Sequence, residues 1–234
     1  MIDYDWSKKF VQIAIDGPAS AGKSTIAKLL AKQLRYVYLD TGAMYRAVTW
    51  WALKNHLPLN DEKAILQSLG HEPIVFVPAA DGQHVRLFDT DITTAIRSED
   101  VTNNVSQVSA LPGVRAEMTK RQREIAAGQD IVMDGRDIGT TVLPHADVKI
   151  FMVASVAERA KRRFKDNAEK GIHVPEETLA KEIAARDYKD SHRAESPLKK
   201  AADAVTIDTT HLTIPQVVAA IVTEIEKKRP TRAK

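Results

Sequence analysis

The sequence has no cysteine, which excludes disulfides, thiolate nucleophiles and zinc sites built on sulfur, and leaves packing to supply the folding energy. It also lacks a membrane-length apolar run, since nothing in it approaches the roughly 18 to 20 consecutive apolar residues that a span needs. The opening Met1-Ile2-Asp3-Tyr4-Asp5-Trp6 does not follow the basic-then-apolar order of a signal peptide. The expected location is therefore the cytoplasm, with no membrane partner. An excess of one charge is missing too: 34 Lys and Arg stand against 31 Asp and Glu, a net of +3. That near balance argues for a local basic pocket and against a basic face for nucleic acid. The 7 histidines are scattered without ligand spacing, so no metal site is expected from them. No internal repeat or low-complexity tract is visible.

What is present is the make-up of an ordinary globular chain. Its 234 residues, 44% of them hydrophobic, can form one sizeable core with small inserts. Val11 to Ile15 is a short apolar run ending in the turn signal Asp16-Gly17-Pro18, and Ile26, Leu29, Leu30 and Leu34 then recur at helical spacing. Val37 to Leu39 reads as a second strand and Tyr45 to Leu53 as a helix, with Trp50 and Trp51 as packing residues. Ile74 to Val77 and Val85 to Phe88, separated by Asp81-Gly82, resemble two strands of a small β-rich insert. Helical spacing returns from Ser98 to Ala127 with a break at Pro112-Gly113, followed by buried-type strands at Ile131 to Met133 and Lys149 to Val153. A charged stretch from Glu158 to Arg193 is broken at Gly171 and Pro175; a last strand is expected at Ala204 to Ile207, a closing helix at Pro215 to Glu226 and a frayed tail from Lys227. Alternating strands and helices predict an α/β fold with a parallel sheet covered by helices on both faces.

Gly17-Pro18-Ala19-Ser20-Ala21-Gly22-Lys23-Ser24 fits G-x-x-x-x-G-K-[ST] and lies between a predicted strand and a predicted helix, the context that motif requires. Glycines let successive backbone N–H groups turn inward around a phosphate, and the helix start adds its positive end. Lys23 reaches the β- and γ-phosphates, and the Ser24 hydroxyl can ligate Mg²⁺. A P-loop alone does not separate kinases from GTPase switches or nucleotide-regulated binding proteins. No Asn-Lys-x-Asp guanine-reading motif occurs, and the length leaves little room for the further elements of a motor ATPase, which favours a small transferase. Asp40-Thr41-Gly42-Ala43-Met44-Tyr45-Arg46 and Asp134-Gly135-Arg136-Asp137 both follow predicted strands, at the edge where open α/β sheets bind ligands. Two such loops imply a second anion beside ATP, although either alone is also what a surface turn with a salt bridge looks like.

These residues resemble the bacterial cytidylate kinases of the nucleoside monophosphate kinase group. The resemblance covers almost the whole chain. It rests on Gly17 to Thr25, on Asp40 to Arg46, on Ser106-Gln107-Val108 with Val114-Arg115, on Asp134 to Asp137, and on Arg186-Asp187 with Asp190 and Arg193. It implies a three-layer P-loop core over residues 1–66 and 105–234, a β-rich NMP-binding insert over 67–104 and a mobile lid over about 155–175. The implied activity is transfer of the γ-phosphate of ATP to CMP or dCMP with Mg²⁺, by a protein expected to be a monomer. By the same resemblance Gly17, Pro18, Ala19, Ser20, Ala21, Gly22, Lys23, Ser24, Thr25 and Arg159 hold ATP, and Ser24 meets the metal. Thr41, Tyr45, Arg46, Arg136 and Arg193 surround the CMP phosphate; Ser106, Arg115 and Asp137 meet cytosine, and Arg186 and Asp190 the ribose. Lys23, Arg136, Arg162 and Arg163 carry the catalytic charge. Thr41 stands where the family often has serine, keeping the hydroxyl and adding a methyl, and Asp3 to Lys9 precede the first strand as an extra segment. An acceptor such as UMP, or a nucleotide-regulated binding protein without catalysis, stays open on the motifs alone.

Overall fold

The computed structural model describes residues 10–79, 82–169 and 171–228; the segment Asp3 to Lys9 and Asp81 of the expected hairpin turn lie outside them. In chain order the elements are β1 (Gln12–Asp16), α1 (Lys23–Leu34), β2 (Val37–Asp40), α2 (Thr41–Lys54), α3 (Glu62–Leu69), β3 (Ile74–Ala79), β4 (Gly82–Leu87) and β5 (Thr90–Asp91). There follow α4 (Glu99–Val108), α5 (Pro112–Ala126), β6 (Ile131–Gly135), β7 (Val148–Val153), α6 (Val156–Ala168), α7 (Glu176–His192), β8 (Val205–Asp208) and α8 (Ile214–Lys228). The chain divides into two compact units, Met1–Tyr38 with Ala126–Lys234, and Leu39–Ile125.

The first unit is built on a five-stranded sheet in the order β2-β6-β1-β7-β8. β1 runs parallel to both β6 and β7, and β7 parallel to β8. Strands buried on both faces need continuous apolar runs, and β6 is buried at all five positions. Ile13 and Ile15 of β1, Val132 of β6 and Ile150 and Met152 of β7 meet Ile26, Ala27 and Leu30 of α1 and Val217, Ile221 and Ile225 of α8 in one core. Their recurrence at three- and four-residue steps is the stripe a helix lays on a sheet. α6 and α7 pack on each other through Ala160, Leu179 and Ile183. Ser155, whose hydroxyl accepts from the Glu158 amide, starts α6 with the Ser-x-x-Glu pattern of a capped helix. α8 continues through Lys228, so the first two residues of the tail expected to fray are helical, and the rest of it, 229–234, lies outside the described residues; Ile225, buried one turn before the end, holds that last turn down.

The second unit holds α2 to α5 and a three-stranded antiparallel sheet, β3-β4-β5. α2 begins four residues earlier than the apolar spacing predicts, because the Asp40 carboxylate accepts from the Ala43 amide and caps it. The expected break at Pro112-Gly113 is a helix start, as befits proline in a first turn. α3, which apolar spacing did not reveal, is capped by Asp61 and buries Ile65 and Leu69. Trp51 stacks on Phe88 with ring centroids 4.4 Å apart.

Candidate active site

In the first unit the sequence after β1 bends sharply into α1. Gly17 sits against β7 so closely that a Cβ there would overlap the Met152 carbonyl oxygen, which no side chain survives. Gly22 ends the loop at φ 87° and caps α1, its carbonyl accepting from the Ile26 amide. Lys23, the first residue of the helix, is buried and its ammonium donates to the Pro18 carbonyl at 2.7 Å. Burial, reinforced by the Arg136 charge, pushes that ammonium down to about 7, while Asp134 and Asp16 pull the other way.

Ser24 Oγ donates to Asp134 Oδ2 at 2.7 Å and the Tyr38 hydroxyl to Asp134 Oδ1 at 2.8 Å. Asp134 ends the apolar part of β6, and the β1–β6 pairing sets Ile15 opposite it and Asp16 opposite Gly135. The loops that leave β1 and β6 are therefore neighbours at one end of the sheet, as open parallel sheets dictate for their ligands. A hydroxyl beside a carboxylate is the hard-oxygen donor pair that suits Mg²⁺. Among the described residues no cluster of three or more His, Cys, Asp or Glu could hold a metal by itself.

Beyond Asp134, the β6 loop meets the end of α7. Arg136 Nε donates to Asp190 Oδ2 at 3.0 Å, and Arg193 Nη2 to Asp137 Oδ1 at 3.4 Å. Asp137 and Asp190 are both buried. Burial works against the Asp190 carboxylate, but the Arg136, Arg186 and Arg193 charges together hold its pKa below the usual range. Arg186 belongs to the same cluster through the charge it exerts on both Asp190 and Lys23.

The three arginines of α6 differ in environment. Arg159 is buried, donating to Asp187 Oδ2 at 2.6 Å and to the Ala19 carbonyl of the phosphate loop at 3.1 Å. Arg162 pairs with Glu158 and donates to both the hydroxyl and the carbonyl of Thr209, with a guanidinium nitrogen 3.9 Å from where a Cβ on Gly22 would stand. Arg163 Nε is buried and has no hydrogen-bond partner among the described residues.

In the second unit, Thr41 is buried at the start of α2 and Tyr45 one turn on. The Arg115 guanidinium lies 5.2 Å from the Tyr45 ring centroid and donates to the Ser109 carbonyl at 3.0 Å. Ser109 Oγ in turn donates to the Ser106 carbonyl, so Tyr45, Arg115 and Ser106 form one group. Arg46 points elsewhere on α2, to Thr102 Oγ1 at 2.9 Å and the Ile96 carbonyl.

The model of the cytidylate kinase family matches residues 13–227. The chain belongs to the cytidylate kinase family. It is 60% identical over 220 residues to the cytidylate kinase of Ligilactobacillus salivarius, covering 94% of this chain and 98% of that one. It is likewise 60% identical to the cytidylate kinase of Streptococcus equi subsp. zooepidemicus, covering 94% and 97%, and 57% identical to that of Lactiplantibacillus plantarum, covering 95% and 98%. The motifs give no binding role to Asp16, Tyr38, Asp134, Asp187 or Thr209, which the structure joins by hydrogen bonds to the residues above or to the segment after Asp137. Asp16 and Asp134 each carry a signal, an acid closing an apolar strand, and Asp187 stands beside Arg186 in one of the motifs of the resemblance. No helix among the described residues is long and apolar enough to cross a membrane.

Proposed function

We propose that the protein transfers the γ-phosphate of ATP to CMP or dCMP, giving ADP and CDP or dCDP, by direct in-line transfer. One observation carries the reading: a phosphate loop with a buried lysine and a carboxylate-set arginine cluster leave adjacent parallel strands, β1 and β6, at the same end of the sheet. Family membership supplies the acceptor. Gly17 to Thr25 hold ATP, with Arg159 bracing the loop through Ala19. Thr41, Tyr45, Arg46, Ser106 and Arg115 of the second unit, and Arg136, Asp137, Arg186, Asp190 and Arg193 of the first, are assigned to CMP residue by residue from the family motifs. The functional division into a core of 1–66 and 105–234, an insert over 67–104 and a lid over about 155–175 belongs to the same reading, as do a monomeric state and a cytoplasmic location.

A phosphate monoester with a second pKa of about 6 is already largely ionised at pH 7, so the acceptor oxygen needs no general base. The obstacle is the approach of two polyanions. Lys23, Arg136, Arg162 and Arg163 counter that charge and fix the geometry of a loose transition state. Mg²⁺, which Ser24 and Asp134 suit, supplies further neutralisation of the transferring phosphate when bound. Cytosine offers an amino donor where uracil offers a carbonyl, and the Asp137 carboxylate accepts from the first and has no donor for the second.

The test is an acceptor panel of CMP, dCMP and UMP with ATP and Mg²⁺. ADP formation strictly dependent on CMP or dCMP is the expected outcome. Preference for UMP would move the reading to another acceptor, and nucleotide binding without ADP formation by the folded protein would overturn it.

A further inference from the structure

Asp16 closes β1 immediately before the phosphate loop and is buried, yet it is absent from the ligand-binding roles above. Its two carboxylate oxygens are both spent on backbone: Oδ1 accepts from the Ile138 amide at 2.8 Å and Oδ2 from the Gly139 amide at 2.7 Å. Those amides open the π-helical turn Ile138–Val142, directly after Arg136 and Asp137. We propose that Asp16 is a positioning residue that clasps the Arg136–Asp137 segment to the start of the phosphate loop, through the paired amides of Ile138 and Gly139.

The geometry gives the clasp its consequence. On the N-terminal side of the segment, the β1–β6 ladder sets Asp16 opposite Gly135. On its C-terminal side the Asp16 carboxylate takes the next two free amides. Arg136 and Asp137 are thus held between two anchors supplied by one residue, and that residue is joined through a single peptide bond to Gly17. Gly17 is itself pinned against the Met152 carbonyl. A shift of the loop that cradles one phosphate is passed to the arginine that meets the other, and misplacement by an ångström costs on the order of 10²-fold in rate. The far side of the clasp is as tight: a Cβ at Gly139 would come 3.1 Å from Lys149 Cδ and 3.4 Å from Asp16 Oδ2.

A strand-end turn could be capped without a buried carboxylate. Burial pushes Asp16 up to about 6, and the neighbouring Asp137 adds to this, while the two amides and Lys23 oppose it. Lys149 is the other charge beside the turn, committed to Asp203 and the Pro144 carbonyl. Keeping an ionised group in so unfavourable a place at neutral pH fits a role in geometry beyond the stability of the turn.

The inference rests on the kinase reading, so CMP-dependent ADP formation by the wild-type protein is measured first; its failure would sink that reading. With it in hand, Asp16→Asn retains one acceptor and sets a donor against the Gly139 amide. The expected result is a kcat lowered about 10- to 100-fold with the KM for ATP within about twofold. The amide protons of Ile138 and Gly139 should shift upfield in NMR spectra of the nucleotide-free protein, while those of Ala21 to Lys23 stay in place. A kcat within about twofold of wild type, or a loss falling on the KM for ATP, overturns the proposal. If Asp16→Asn does not fold, Gly139→Ala decides, since it displaces the same amide and keeps the carboxylate. A several-fold lower kcat with an unchanged KM for ATP supports the clasp, and an unchanged kcat overturns it.

Discussion

The phosphate loop and the arginine cluster after β6 answer the same problem, a polyanion, in opposite ways. The loop is eight contiguous residues with one lysine, whose glycines at positive φ are the kind that let successive N–H groups turn inward around a phosphate. The cluster is assembled from charges far apart in sequence: Arg136 is 54 residues from Asp190, and Asp137 is 56 from Arg193. On the loop side the cation bonds to a neutral carbonyl. On the cluster side each of those two arginines is already held by a carboxylate. A backbone cradle is indifferent to the rest of the nucleotide, whereas on the proposed function the paired side chains would carry both orientation and base choice. The first should govern rate for any acceptor and the second should govern which acceptor is used.

The largest effect is expected from the loop side. Replacing Lys23 by Met removes the only cation in Gly17 to Thr25, and loss of one preorganised transition-state donor costs about 10²- to 10³-fold in kcat. CMP and UMP should suffer alike. The buried ammonium is itself unfavourable in the nucleotide-free protein, because its pKa is lowered. Stability tied to the neutral amine is present above the unfolded value and lost as pH falls through about 7. Lys23→Met should therefore melt no lower than wild type at pH 6. A lower melting temperature there, or a kcat within tenfold of wild type, would break the contrast from the loop side.

A smaller effect, confined to selectivity, is expected from the cluster. Asp137→Asn exchanges an acceptor for a group that can also donate, and a single base-edge contact is worth about 1–3 kcal/mol, or about 5- to 150-fold. The ratio of kcat/KM for CMP over UMP should fall within that range, with the KM for ATP unmoved. An unchanged ratio would remove Asp137 from base reading and leave it as the partner of Arg193 alone.

The same contrast explains what could be read from the chain alone. The loop, the strands β1, β6 and β7 and the stripe of α1 are written in contiguous residues with a fixed period, so local pattern suffices for them. α3 was missed because eight residues bury only two apolar side chains, too few to declare a period, although Asp61 was an available cap signal. The π-helical turn at Ile138–Val142 has no period at all; its first amides are claimed by Asp16, more than 120 residues earlier. Asp187 meets Arg159 at 28 residues' remove and Thr209 meets Arg162 at 47. Each lies beyond what spacing can reveal in a single sequence. The residues assigned to CMP came from resemblance for the same reason: charged pairs that assemble only in the fold leave no local mark.

The smallest effect is a proton. With no nucleotide present, burial and the Arg136 charge hold the Lys23 ammonium down to about 7, so at pH 8 only about a tenth of molecules carry it. Phosphate oxygens brought to that nitrogen favour the charged form and return the pKa toward its ordinary range. ATP binding at pH 8 should thus take up about one proton per site, and at pH 6, where the ammonium is already charged, close to none. ATP titrated calorimetrically without acceptor, in buffers of different ionisation enthalpy, counts these protons as a slope. The uptake should vanish in Lys23→Met and persist in Asp137→Asn, because the proton counted is the one on the Lys23 amine, whereas Asp137 faces Arg193. A slope of zero in the wild-type protein, or an equal slope in Lys23→Met, would mean that the loop's cation is charge-balanced before ATP arrives, and the two regions would then differ in architecture but not in electrostatics.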